Sequence, residues 1–330
     1  MGRGRRRTPR CAASRPLRQL SLPRRSGGGS REAAIVDAAR SAARRAGRRA
    51  PGPAVHGGDP PGIGGGRMEA VAPARSRWVD LPPAIQRAIE ARTGPVRGAW
   101  DAPDVGGALA VVVDTWTETS VLVRGARFGD QQGRDALRAE AAVAALELEH
   151  VPALRWRAAV GTWDLLATSH VSGRPADLSP GSVDVTLLGD MLRKARGSTV
   201  RGMLPEYADR WSAWATRPEL ERLRGSHLLH TCMCPGHVLV SHDRATVVDW
   251  GRAARGPAWV DAAYALVQLG EAGHPPDAAL RWVRTIPVWS TALPGALAAW
   301  GAVHSRYWAE QPSLAGRVEI AQELLGGSHD

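Results

Sequence analysis

One stretch of this chain admits few folds. Residues 230–251 open with His230-Thr231-Cys232-Met233-Cys234-Pro235-Gly236-His237 and continue as Val238-Leu239-Val240. A turn at Ser241-His242-Asp243-Arg244 leads into a second apolar strand, Ala245-Thr246-Val247-Val248, which ends in Asp249-Trp250-Gly251. A polar loop, two short strands and a four-residue turn read as a β-hairpin. The loop gathers two thiols and two imidazoles, and the second strand delivers a carboxylate. This is the form of an active-site hairpin.

The rest of the chain falls into two halves around it. Asp80 is placed to cap a helix whose first turn carries Pro82-Pro83 and which Gly94 closes. Arg97–Trp100, Gly107–Val113 and Ser120–Gly125 read as strands, with a turn over Thr115–Thr119. Gln131 to Leu148 predicts an amphipathic helix with Leu137, Ala141, Ala145 and Leu148 on one face. Strands near Leu154–Val160 and Leu165–Val171 follow, and Ser172-Gly173-Arg174-Pro175 breaks the chain as a hinge. Beyond Ser182, helices are expected near 182–195, 204–215, 259–272, 276–285, 292–309 and 312–325, with the hairpin as the one clear β element among them. A β-rich first half and a helical second half predict an α+β fold.

Composition limits the classes of function. The net charge of +11 is confined to residues 1–67, where 16 arginines face three acidic residues, so the body is close to neutral. No basic stripe interleaved with aromatics supports a nucleic-acid face on the body. The segment 1–67, rich in Arg, Gly, Pro, Ala and Ser, predicts a disordered extension. It reads as a translated upstream region with Met68 as the true start, as a basic arm binding anionic surfaces nonspecifically, or as a targeting extension. Three cysteines, Cys11, Cys232 and Cys234, do not suggest a disulfide framework, and a reducing cytoplasm is the expected location. No apolar run is long enough to span a membrane, so no membrane partner is expected.

The hairpin resembles the catalytic and metal-binding segments of the aminoglycoside phosphotransferase family, which are small-molecule kinases with a two-lobed, protein-kinase-like fold. There the loop reads H-x-D-x-x-x-x-N, two strands follow, and an Asp begins the metal motif. The resemblance implies an N-lobe over 68–173 that binds ATP. It implies a helical C-lobe over 174–330 that carries the hairpin at 228–251, with Mg²⁺ as the metal. His230 matches the loop histidine and Asp249 the metal carboxylate. Cys232 stands at the catalytic-base position and His237 at the metal-binding Asn. In the strand Val121-Leu122-Val123-Arg124-Gly125, Arg124 takes the place of the phosphate-facing lysine, and the chain's one lysine, Lys194, lies beyond the hinge. Glu140 sits where the family places that lysine's partner. Gly106 and Gly107 occupy the phosphate-covering loop, and Asp261 matches an Asp that braces the catalytic loop. Read as plain sequence, Arg124 is a surface arginine ending an edge strand. In the same plain reading Glu140 is a solvated helix residue, Gly106-Gly107 an ordinary turn, and Asp261 a first-turn residue.

Three of these positions depart from what phosphoryl transfer requires, namely cations on the phosphates, a metal clamp and an oriented nucleophile. Arginine is longer and forked where lysine is a point charge. A thiol with an ordinary pKa near ~8.5 is mostly protonated at neutral pH and makes a weak base. Imidazole suits Zn²⁺ better than Mg²⁺. The sequence therefore predicts an impaired phosphotransferase or a ligand-binding pseudoenzyme. The alternative is a zinc-binding, non-kinase protein using His230, Cys232, Cys234 and His237, four ligand types within a short loop. A Cys232–His237 nucleophile is a third reading, and it lacks an orienting group. The acceptor is unknown. Asp184, Asp190, Glu206 and Asp209 are candidates to meet a polycation and otherwise read as surface carboxylates.

Overall fold

The computed structural model describes residues 76–102, 107–116, 120–195, 198–200, 202 and 204–325. The expected extension over 1–67, Met68 and Gly106 lie outside the described residues.

Valine-rich runs build the small lobe. β1 (Val96–Asp101), β2 (Leu109–Thr115), β3 (Val121–Arg127), β4 (Leu154–Val160) and β5 (Trp163–Ser169) pair antiparallel in the order β1-β2-β3-β5-β4. The register sets Trp100, Val112, Leu122 and Thr168 in one row, and Val111, Val123 and Ala167 on the opposite face. That opposite face is buried against Ile85 and Ile89 of α1 (Pro83–Thr93). α1 starts on Pro83, where a missing N–H costs nothing, and closes at Gly94 with φ +86°. Asp80 does not cap it. Pro82 holds the cap position, and Asp80 pairs with Arg77 at 2.7 Å in the turn before.

α2 (Gln131–Ala144) crosses the other face of the sheet, where Leu137 meets Ala126 of β3 and Leu166 of β5. Asp130 caps it by accepting from Gly133 N at 2.8 Å. The helix stops at Ala144 rather than Leu148, and Glu147 takes a left-handed turn at φ +54°. Leu146 and Leu148 thereby leave the α2 face and pack on the large-lobe core.

The large lobe contains more β structure than its sequence suggests. β6 (Arg174–Pro175), at the expected hinge, pairs with β8 (Val238–Ser241), which pairs in turn with β9 (Arg244–Val247). β7 (His227–Leu229) pairs with β10 (Ala254–Gly256), so the loop after β7 leaves from a second anchored ribbon. Six helices follow the hinge: α3 (Asp184–Ala195), α4 (Arg217–Arg222), α5 (Val260–Glu271), α6 (Pro276–Val283), α7 (Pro294–Ala309) and α8 (Gly316–Leu325). Among the described residues none is long and apolar enough to cross a membrane.

The helix expected over 204–215 does not form. Arg255 N donates to Pro205 O at 2.9 Å and Tyr207 N to Arg255 O at 2.8 Å, so this backbone is committed beside β10. Tyr207 and Trp211 enter a buried aromatic cluster with Trp300 and His304. The hydroxyls of Tyr207 and Tyr264 reach His304 Nε2 at 2.9 and 2.8 Å. Burial pushes the His304 pKa down to about 3, so the ring is neutral. Together these elements make the two-lobed, kinase-like α+β fold, with the hairpin lying along the join.

Candidate active site

The hairpin forms where its sequence places it. Val238, Val240, Ala245 and Val247 face the large-lobe core, as period-two alternation requires. Val248 N donates to His237 O at 2.9 Å and draws the two ends of the hairpin together. Asp249 then takes the left-handed conformation, φ +61° and ψ +60°. On the facing loop Thr231 is left-handed as well, at φ +70°. A β-branched residue in that region is strained by about 1–3 kcal/mol and persists only where its surroundings hold it. Here Asp261, in the first turn of α5, accepts from His230 N and Thr231 N, both at 2.8 Å. Arg210 adds a second hold, from Nη1 to Thr231 Oγ1 at 2.9 Å and from Nη2 to Arg252 O at 2.8 Å. Asp261 stands where the resemblance put it. Nothing in the sequence near Arg210 pointed to residue 231.

Arg124 is no surface residue. It is 5% exposed and Glu140 is 4% exposed, and its guanidinium pairs with the Glu140 carboxylate. The same Nη1 also donates to Asp249 Oδ1 at 2.7 Å. Sheet, helix and hairpin thus meet on one cation. Burial works against the Arg124 charge, but the two carboxylates outweigh it and its pKa stays above the ordinary arginine value. Burial raises the Glu140 carboxyl against the pull of Arg124, with Asp249 adding to the rise. Asp249 is held below the usual range because Arg124 overcomes its burial.

His230 is committed to structure. Its Nε2 lies 2.9 Å from Val248 O and 3.2 Å from Asp249 O, and its ring packs edge-on to Trp250 at 4.8 Å. Cys232 and Cys234 stand with their sulfurs 3.3 Å apart. Their sulfurs and a ring nitrogen of His237 all lie within 4.8 Å of one another. His237 Nε2 is 3.7 Å from Asp249 Oδ2. His230 is outside this group, so the four-residue cluster read in the sequence assembles as three. The Cys234 hydrogen bond, then His237, holds the Cys232 thiol well below its usual range, while the same contact pushes Cys234 up. Cys232 in turn raises His237. So low a pKa makes Cys232 a poorer proton acceptor still.

The remaining candidates are more dispersed. Gly107 is exposed at φ +112°, ahead of β2. Asp184 is buried and takes Arg174 Nη2 on Oδ1 at 3.0 Å, and Glu206 is buried against Arg255 at 2.6 Å. Both are buried carboxylates held by arginines that reach the surface. A cavity of about 910 Å³ opens between α2 and the segment after Asp249, lined by Gln131, Asp135, Arg138, Arg210, Gly251 and Arg252 among others.

The site thus joins a buried cation–carboxylate pair to an Asp delivered by the hairpin. Residues 184–306 match the sequence model of the APH family, described as the Phosphotransferase enzyme family. The span contains the hairpin and Asp261 but neither Arg124 nor Glu140. No curated protein matches the chain. Among solved structures it is similar to a putative fructosamine-3-kinase from Haemophilus somnus 129PT, at 11% identity and TM-score 0.47 over 73% of this chain and 97% of that one. A thermostable mutant of aminoglycoside phosphotransferase APH(4)-Ia, in ternary complex with ADP and hygromycin B, gives 11% identity and TM-score 0.45 over 75% and 100%. An aminoglycoside phosphotransferase from Alicyclobacillus acidocaldarius gives 14% and 0.40 over 74% and 96%.

Proposed function

We propose that this protein is a phosphotransferase-type pseudoenzyme or very slow kinase, with a nucleotide cleft kept and ATP-dependent transfer to a small-molecule hydroxyl lost or strongly slowed. The observation that carries the reading is the Arg124–Asp249 ion pair at 2.7 Å. Asp249 is the carboxylate a metal would use, and one of its oxygens is already taken by the residue standing for the phosphate-binding lysine.

The donor set does not fit Mg²⁺. That ion demands oxygen ligands in near-octahedral array, and the groups around Asp249 Oδ2 are an imidazole and, beyond it, two sulfurs. The nucleotide fits better. Trp100, Val112 and Leu122 share the sheet face of Arg124, and Trp100 is 48% exposed, with its ring edge-on to His170 at 6.4 Å. This apolar row suits a flat base, and Arg124 suits phosphate once it leaves Asp249. Cys232 would face the acceptor hydroxyl. Arg138, Arg210 and Arg252 outnumber the acidic lining of the adjoining cavity, and Asp184 and Glu206 are paired internally, which disfavours a polycationic acceptor. The two free thiols suit a reducing cytoplasm.

The test is a thermal shift of the full chain with and without Mg·ATP, beside the double variant Cys232→Asp, His237→Asn. A small wild-type shift and a larger shift in the double variant are expected, through linkage of binding to folding. Turnover of ATP against an acceptor at several per second by the wild type, inside the ~1–100 per second range of kinases, refutes the reading.

A further inference from the structure

The mismatch with Mg²⁺ has a positive side. Cys232, Cys234 and His237 bring two sulfurs and a ring nitrogen within 4.8 Å of one another, and Asp249 Oδ2 is 3.7 Å from His237 Nε2. In a tetrahedral site with metal–sulfur distances of about 2.3 Å and metal–nitrogen distances of about 2.0–2.1 Å, neighbouring donor atoms stand roughly 3.3–3.8 Å apart. The sulfur pair at 3.3 Å is already near that spacing.

So short a loop wraps its donors because of its local sequence. Pro235 begins a single tight turn over Pro235–His237, closed by His237 N donating to Cys234 O at 3.0 Å. That turn folds His237 back over both cysteines. His230 forms a wall instead of a ligand, its ring 5.6 Å from that of His237 and its Nε2 facing two carbonyls. All three donors are half-buried, so they are sheltered without being sealed from an entering ion.

We propose that Cys232, Cys234 and His237 bind a thiophilic divalent cation of the Zn²⁺ class through three protein donors, and that this ion, held beside Asp249, excludes Mg²⁺ and nucleotide phosphates from that carboxylate. The metal site stands on the three side chains alone, while the exclusion rests on the proposed nucleotide cleft. Sulfur and imidazole donors select such an ion over Mg²⁺ by softness. The exclusion is reciprocal: whatever factor the ion takes from nucleotide affinity, nucleotide takes from the ion.

The experiment uses the full chain, reduced and stripped of metal, with Co²⁺ as the optical probe and Zn²⁺ as competitor. One equivalent of Co²⁺ should give thiolate-to-metal charge-transfer absorption that Zn²⁺ abolishes. Cys234→Ser should lose most of that absorption and weaken Zn²⁺ binding by more than the ~10–100-fold typical of an outer-shell change, while keeping any Mg·ATP thermal shift. Cys234→Ala and His237→Asn repeat the optical measurement, with the far-ultraviolet circular dichroism of each metal-free variant confirming the fold. Absence of the band in the wild type, or an unchanged band in folded Cys234 variants, overturns the site. A band that Mg·ATP does not weaken, in a chain that Mg·ATP stabilises, overturns the exclusion. A band in a chain that never responds to Mg·ATP supports the metal site and tells against the nucleotide reading instead.

Discussion

Replacing Arg124 with methionine tests the cation that joins the two lobes. Arg124 and Glu140 have side chains only 6% exposed, so the variant strands the Glu140 carboxylate in the interior and leaves Asp249 with His237 at 3.7 Å. Removing one partner of a buried ion pair costs about 3–5 kcal/mol, most of it the desolvation of the charge left behind. Glu140→Gln is milder, at about 1–2 kcal/mol, because Arg124 keeps its hydrogen bond to Asp249. The two losses should differ in pH dependence. Asp249 is depressed in the fold, so its contribution is present above the ordinary Asp range and is lost as pH falls through its folded pKa. Glu140 is raised, so its contribution is present below the ordinary Glu range and is lost as pH rises through its folded pKa. Without Arg124 both carboxyls rise, and the deficit of Arg124→Met is largest near neutrality and shrinks toward a pH of about 4. Urea unfolding of the full chain across that interval measures it. A loss under about 1 kcal/mol, or one equal at every pH, would show that the three groups do not share a buried charge cluster.

Further outcomes follow from the surrounding scaffold. Asp261→Asn weakens the hold on His230 N and Thr231 N, and should cost about 1–3 kcal/mol with faster hydrogen exchange at those two amides; unchanged exchange would remove Asp261 from its bracing role. Gly225→Ala puts a Cβ 2.2 Å from the Gly256 carbonyl carbon, a backbone atom that cannot swing aside. It should destabilise by about 1–3 kcal/mol or more, and a neutral result in thermal unfolding would contradict the packing of β7 on β10. His304 has its pKa lowered to about 3 from 6.5, so its stabilisation is present above 6.5 and lost as pH falls toward 3. The slope is about 1.4 kcal/mol per pH unit. His304→Phe should flatten that slope, and an equal acid slope in the variant would refute the assignment.

What the sequence made legible was whatever has a local signature. The hairpin shows in its apolar alternation and turn. The family resemblance places Arg124 and Glu140, while plain sequence puts both on the surface. The contact of Arg124 with Asp249 joins residues 125 positions apart, and no local pattern encodes it. The same holds for Arg210 on Thr231 and for the β7–β10 ribbon, whose three-residue strands are too short to show a period. The missing helix at 204–215 has apolar residues at helical spacing, yet Pro205 and the backbone of Tyr207 are taken by Arg255. Loop geometry likewise escaped. Spacing alone could not show that Pro235 turns His237 back toward the cysteines, nor that His230 faces away from them.

The stitching of Arg174 and Pro175 onto Val240 and Leu239 has a mechanical consequence. A connection between two lobes is usually thought of as a joint, but here its last residues are part of the hairpin's own sheet, and a Cβ on Gly173 would stand 2.9 Å from Val240 O. On the small-lobe side His170 N donates to Ser120 O at 3.0 Å, so only Val171 and Ser172 lie between the two anchored ends. The hairpin and the end of the link are therefore one sheet. The Arg124–Asp249 ion pair at 2.7 Å ties the small lobe to the hairpin a second time, across this short link.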